Sequence, residues 1–120
     1  MSNNKYLNSV DPPQEELTEL RKLYGQNNLQ QVFRKAKLLF NHYDKSLTLC
    51  NLMGASAAQI GQHDEAILAF KSAVIIKPDY AVAHYNMAKV LREQGSLEEA
   101  IEAYNTAISV KPDYAMAHNN

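Results

Sequence analysis

Four histidines, a single cysteine and three adjacent carboxylate pairs are the residues of this chain best equipped for chemistry. A zinc site needs several nitrogen or sulfur ligands at fixed spacing, yet no HxxxH, HExxH or CxxC pattern occurs. Packed or solvent-facing imidazoles account for the histidines better than a metal does. The carboxylate pairs Glu15-Glu16, Asp64-Glu65 and Glu98-Glu99 each open a stretch with helical apolar periodicity. Negative charge is favoured there by the helix dipole, so they read as capping charges rather than an acid–base couple. No GxGxxG, GxxxxGKS/T or GxSxG is present, which leaves phosphate cradles and nucleophile elbows without support. We therefore expect no catalytic residue, no metal, no cofactor and no turnover.

Composition narrows the alternatives. The chain has 120 residues, of which 46% are hydrophobic and 21% charged, with a formal net charge of -1. That balance is too apolar for a disordered chain, and it gives no bulk electrostatic attraction to nucleic acid or to an anionic membrane. Arg34-Lys35-Ala36-Lys37 is the nearest approach to a basic run, and it sits on a helical pattern as a solvated face. Cys50 cannot form a disulfide within the chain, which points to a reducing compartment. Residues 1–11 lack the basic start and apolar run of a secretory signal, and no stretch is long and apolar enough to span a bilayer. A cytoplasmic location is the expectation.

The elements that must carry any site repeat themselves. Lys77-Pro78-Asp79-Tyr80-Ala81 recurs as Lys111-Pro112-Asp113-Tyr114-Ala115, displaced by 34 residues. Residues 47–80 laid over 81–114 give 11 identities in 34 positions. Each unit reads as an apolar helix, a turn at Gly61 or Gly95, a second apolar helix and a stop at Pro78 or Pro112. Glycine takes the left-handed conformation that ends a helix without a Cβ clash. Ser96 stands where an N-cap is wanted, and Asp113 offers a cap for the helix that follows. Ala100, Ala103, Tyr104 and Ala107 make one apolar stripe at i, i+3, i+4 and i+7. Gly54 with Ala66, and Ala88 with Ala100, put small residues where antiparallel helices approach. The tyrosines at 80, 85, 104 and 114 keep the repeat register, which favours packing over base stacking.

The small residue Ala88 with Leu91, Gly95, Ala100, Tyr104, Ala107 and Pro112, and Gly54 with Gly61, Ala66, Phe70, Ala73 and Pro78, resemble the tetratricopeptide repeat (TPR) family. His84 and Cys50 fill a site that is often a large aromatic in that family. The resemblance implies an all-α fold: a right-handed superhelical solenoid of antiparallel helix pairs. Residues 12–46 are weaker but repeat-like. Asp11 is expected to cap, Pro12 to take the first helical position and Gln14 to complete a capping box, while Asn27-Asn28 replace the turn glycine. The expected organisation is a disordered segment at 1–11, a degenerate first repeat at 12–46, repeats at 47–80 and 81–114, and the start of a further, truncated repeat at 115–120. Helices are expected at about 12–25, 28–43, 47–60, 63–76, 80–94 and 97–110, with no strand and boundaries good to ±2–4 residues.

In the family, the first helix of each unit lines a concave groove where partners lie. Carried onto this sequence, the groove shows Thr48, Asn51, Ala55, Ala58 and Gln59, then Val82, Tyr85, Asn86, Lys89, Arg92 and Glu93. Asn86 and Asn120 occupy His-x-Asn sequences 34 residues apart. A primary amide both donates and accepts, so a column of them suits a peptide backbone. That column resembles the repeat region of O-linked N-acetylglucosamine transferases, although Leu52 stands where the preceding Asn would be. The two-carboxylate clamp for acidic chaperone tails needs Lys and Asn where Asn51 and Ala55 stand, and Lys and Arg where Met116 and Asn120 stand. Such tails are not the expected ligand. The expected function is a protein–protein interaction scaffold binding a peptide or helix of a protein partner, with Asn51, Tyr85, Asn86, Lys89, Arg92, Asn119 and Asn120 in contact. The alternative is the targeting arm of a larger transferase whose catalytic domain lies beyond Asn120. A third expectation is self-association through the uncapped C-terminal end.

Overall fold

A computed structural model describes residues 10–112. The expected further repeat at 115–120, with Asn119 and Asn120, lies outside the described residues, as do Asp113 and residues 1–9 of the N-terminal segment. Six helices follow one another: α1 (Gln14–Gly25), α2 (Leu29–Phe40), α3 (Leu47–Gln59), α4 (His63–Ile76), α5 (Ala81–Gln94) and α6 (Leu97–Val110). No strand occurs among the described residues. Extents of 48 × 27 × 21 Å describe an elongated stack of helix pairs.

The turns inside the pairs share one geometry. Gly61 (φ 84°) and Gly95 (φ 89°) are left-handed, and Asn27 (φ 65°) takes the equivalent place in the first pair. Asparagine tolerates this conformation better than other side chains, which lets it stand in for glycine. After each, one N–H closes back across the helix end: Asn28 to the Leu23 carbonyl at 2.9 Å, Gln62 to Ala57 at 2.8 Å and Ser96 to Leu91 at 2.9 Å. These are Schellman closures that satisfy otherwise orphaned carbonyls.

Helix starts differ from expectation in two places. Pro13, not Asp11, precedes α1, and no side chain caps it. Pro12 is pushed into extended backbone by the proline that follows it, so the helix begins only after Pro13. Asp11 Oδ1 instead accepts a 2.5 Å hydrogen bond from Ser46 Oγ, tying the chain's entry to the start of α3. Ser46 Oγ in turn accepts from Leu49 N–H at 3.2 Å and is a true N-cap. Ser96 occupies the N-cap position of α6 without a side-chain bond. The second helix also stops at Phe40 rather than near 43, because the N–H groups of His42 and Tyr43 both turn back to the Leu39 carbonyl.

A continuous core runs between the pairs through Leu20, Val32, Leu49, Cys50, Phe70 and Ala73, all 2% exposed or less. A second cluster closes the α5–α6 pair around Tyr85, Leu91 and Tyr104. Ala88 and Ala100, small as the sequence requires, are buried between those helices. Gly54 has a sharper role than close backbone approach: a Cβ there would collide with the edge of the Phe70 ring. Its missing side chain is the space that ring occupies.

Candidate functional site: a groove along the first helices

A hollow of about 360 Å³ opens where α1, α3 and α5 come together. Its walls are Tyr24 from α1, Ala55, Ala58 and Gln59 from α3, and Asn86, Lys89, Val90 and Glu93 from α5. Phe70 reaches it from α4 across Gly54. The four α5 residues fall at i, i+3, i+4 and i+7, one face of one helix.

Of the residues expected to face a groove, the hollow brings together Ala55, Ala58, Gln59, Asn86, Lys89 and Glu93. Thr48, Val82 and Arg92 lie outside it. Two of the expected contact residues are engaged within the fold. Asn51 Nδ2 donates to the Tyr80 hydroxyl at 2.6 Å, fastening α3 to the start of α5, and its buried Oδ1 has no hydrogen-bond partner. Tyr85, expected as an exposed anchor, is 5% exposed. Its ring meets Tyr104 at 5.7 Å between centroids and 59° between planes, an edge-tilted pair that locks α5 to α6. The helical turn aims position 85 at α6 rather than at solvent.

Three aromatic or apolar walls went unpredicted. Tyr24 sits in the weak first repeat, at the place equivalent to Ala58 by the spacing of the left-handed turn residues. Phe70 belongs to a second helix, and the signal for it was the glycine at 54 where the next unit carries Ala88. Val90 is nearly buried and reads as core from sequence.

Charge and hydrogen bonding at the groove are mixed. Gln59 Nε2 donates to the Tyr24 hydroxyl, a latch between the first and second units. Lys89 Nζ lies 5.7 Å from the Tyr85 ring centroid, where the ring face attracts a cation. Glu93 Oε1 stands 3.6 Å from His63 Nε2. His84 is held by the Pro78 carbonyl at 2.9 Å, and no group of three or more metal-ligating residues forms among the described residues. Cys50 is fully buried, and desolvation pushes its thiol up to about 11, far from a nucleophile's range. No helix among the described residues is long and apolar enough to cross a membrane.

The comparison with protein families agrees with this architecture. Residues 57–95 and 88–120 both match the model described as TPR repeat, and the two spans together take in more than half of the chain. The chain belongs to the tetratricopeptide repeat family. No curated protein matches it. Among solved structures, MamA aligns with a TM-score of 0.82 at 23% identity, over 97% of this chain and 66% of that one. The first TPR domain of Spaghetti (RPAP3), bound to the HSP90 peptide SRMEEVD, gives 0.81 at 15% identity, over 87% of this chain and 82% of that one. An O-GlcNAc transferase from Thermobaculum terrenum gives 0.76 at 23% identity, over 87% of this chain but 20% of the enzyme. At these identities the likeness is one of fold.

Proposed function

We propose that the chain is a protein-interaction scaffold whose three helix pairs, the first a degenerate repeat at 12–46, hold an extended peptide of a partner along the groove. The observation that carries this reading is the meeting of Gln59 and Asn86 amides, Lys89 and Glu93 over a floor of Ala55 and Ala58. Small floor residues leave room for a backbone, amides pair with it in either sense, and Tyr24 and Phe70 give flat apolar walls. The peptide-bound RPAP3 domain supports the same use of the fold. With Asn51 occupied by Tyr80 and Ala55 in place of an amide, the groove suits a segment other than an acidic chaperone tail. Binding, not turnover, is its contribution, and self-association through the C-terminal end, past α6, is a separate reading that leaves the groove free.

The alternative, an arm delivering substrates to a transferase, uses the same groove, and the fold shared with the Thermobaculum terrenum enzyme is what favours it. Reading the transcript beyond Asn120 separates the two. The groove itself is tested by titrating an interacting peptide, selected by display against the chain, into Asn86→Ala and Lys89→Ala. Loss of an amide bond to a peptide backbone is worth about 1 kcal/mol, roughly a fivefold weakening. Affinity unchanged in both variants, each shown to be folded, removes the groove as the site.

A further inference from the structure

The second helices of the three pairs form the opposite, convex side, and comparing them position by position isolates one oddity. Residues 34 and 37 of α2, and 41 just past its end, correspond to 68, 71 and 75 of α4 and to 102, 105 and 109 of α6, each 34 apart. At i, i+3 and i+7 each trio makes one strip, and all nine residues are exposed. The α2 strip is Arg34, Lys37 and Asn41, and the α6 strip is Glu102, Asn105 and Ser109. The α4 strip is Leu68, Lys71 and Ile75, with Leu68 60% and Ile75 77% exposed. Because both sister helices hold polar residues at these positions, the fold does not require apolar ones there.

Leu68 also rims a hollow of about 330 Å³ between α2 and α4, floored by Phe33, Phe40, Met53 and Ala69. Lys37 overhangs it, 5.5 Å from the Phe33 ring centroid and 3.7 Å from Glu65. Neither Arg34 nor Lys71 takes part in an ion pair among the described residues. Along this strip the side runs from cationic at α2, through apolar with one lysine at α4, to polar with a single carboxylate at α6; the exposed Leu38, Leu97 and Ile101 lie off the strip. None of this involves the concave groove or the chain ends.

We propose that the α4 ridge and the α2–α4 hollow dock an amphipathic helix of a partner protein, its apolar stripe on Leu68 and Ile75 and its acidic flank toward Arg34 and Lys37. Charge complementarity selects this occupant: carboxylates on the α2 side meet Arg34, which has no ion pair among the described residues, and Lys37, which Glu65 shares at 3.7 Å. The same helix reversed would set them against Glu102. The ridge and the groove then bind independently, so one scaffold can hold two segments at once.

The test uses a labelled helical peptide of about 18 residues, long enough to hold a helix, with Leu at i, i+4, i+7 and i+11 and Glu along one flank. Its anisotropy is followed against the whole chain and against Leu68→Glu with Ile75→Ser, which copies the α6 strip and so keeps a surface this fold already carries. Expected are saturable binding, a loss of about tenfold or more in the double variant, a similar loss when the peptide's Glu residues become Lys, and no change in Asn86→Ala. The proposal is overturned by no binding up to about 1 mM, by equal binding to the double variant, or by loss in Asn86→Ala instead. Capture by anionic vesicles in place of the peptide, or light scattering showing copies covering the ridge, overturns it equally.

Discussion

Replacing Gly54 with alanine pits two known effects against each other at one atom. Alanine favours a helix interior over glycine by about 0.8–1.0 kcal/mol. Against this, the added Cβ would collide with three atoms of the Phe70 ring, which is 2% exposed and meets open space only where it edges the groove hollow. Overpacking of that kind costs about 1–3 kcal/mol. The clash is the larger effect, and Gly54→Ala is expected to lose about 1 kcal/mol net. Urea denaturation followed by far-UV circular dichroism reads this as a lower midpoint. With a slope of about 1–3 kcal/mol/M, the drop is several tenths of a molar at unchanged slope. In a Phe70→Ala background the collision is gone, and Gly54→Ala should then stabilise by its helix preference alone. That reversal of sign is the decisive readout of a double-mutant cycle. If Gly54→Ala stabilises the otherwise native chain, the ring yields without cost and glycine is not there to house it.

Gly95→Ala should destabilise by about 1–2 kcal/mol because φ is 89° there, whereas Asn27→Gly should be neutral or slightly stabilising; thermal melts compare the two. Tyr104→Phe should leave stability unchanged or raise it by up to about 1 kcal/mol, since the buried hydroxyl has no partner and the equivalent residue is Phe70; a midpoint lowered by more than that shows the hydroxyl is satisfied. Desolvation raises the Tyr104 phenol further above its ordinary range, the Arg92 charge opposing, so spectrophotometric titration should find one tyrosine ionising late. The buried Cys50 thiol should resist iodoacetamide at pH 8 in the native chain and react promptly in urea.

The helices were legible because their punctuation is chemical and repeats: glycine or asparagine at each left-handed turn, proline after the second and third pairs. The weak first repeat was legible for the same reason, Asn27 doing what Gly61 and Gly95 do. The groove was half legible. Positions 86, 89 and 93 lie on one helix face, the one that the resemblance to the repeat family turns toward the groove. Tyr85 and Asn51 went astray because side-chain chemistry was read without the partner across the interface, where Tyr104 and Tyr80 take them up. Asp11 was misplaced because a capping pattern and a double proline compete for the same turn, and proline's fixed backbone wins. Phe70 was invisible as a wall because its access depends on an absence, the side chain that residue 54 does not have.

The three left-handed residues at 27, 61 and 95 also make the chain modular in a literal sense. A block cut between two of them begins and ends on the same backbone geometry, with the same closing hydrogen bond on either side of the seam. Such a block carries its own turn geometry to a new place, and the side chains facing each other across the seam must still match, as Gly54 and Phe70 do across Gly61. Array length and surface chemistry then vary separately. A unit with an apolar crest, like the one carrying Leu68 and Ile75, can take another place in the array where its neighbours keep that fit.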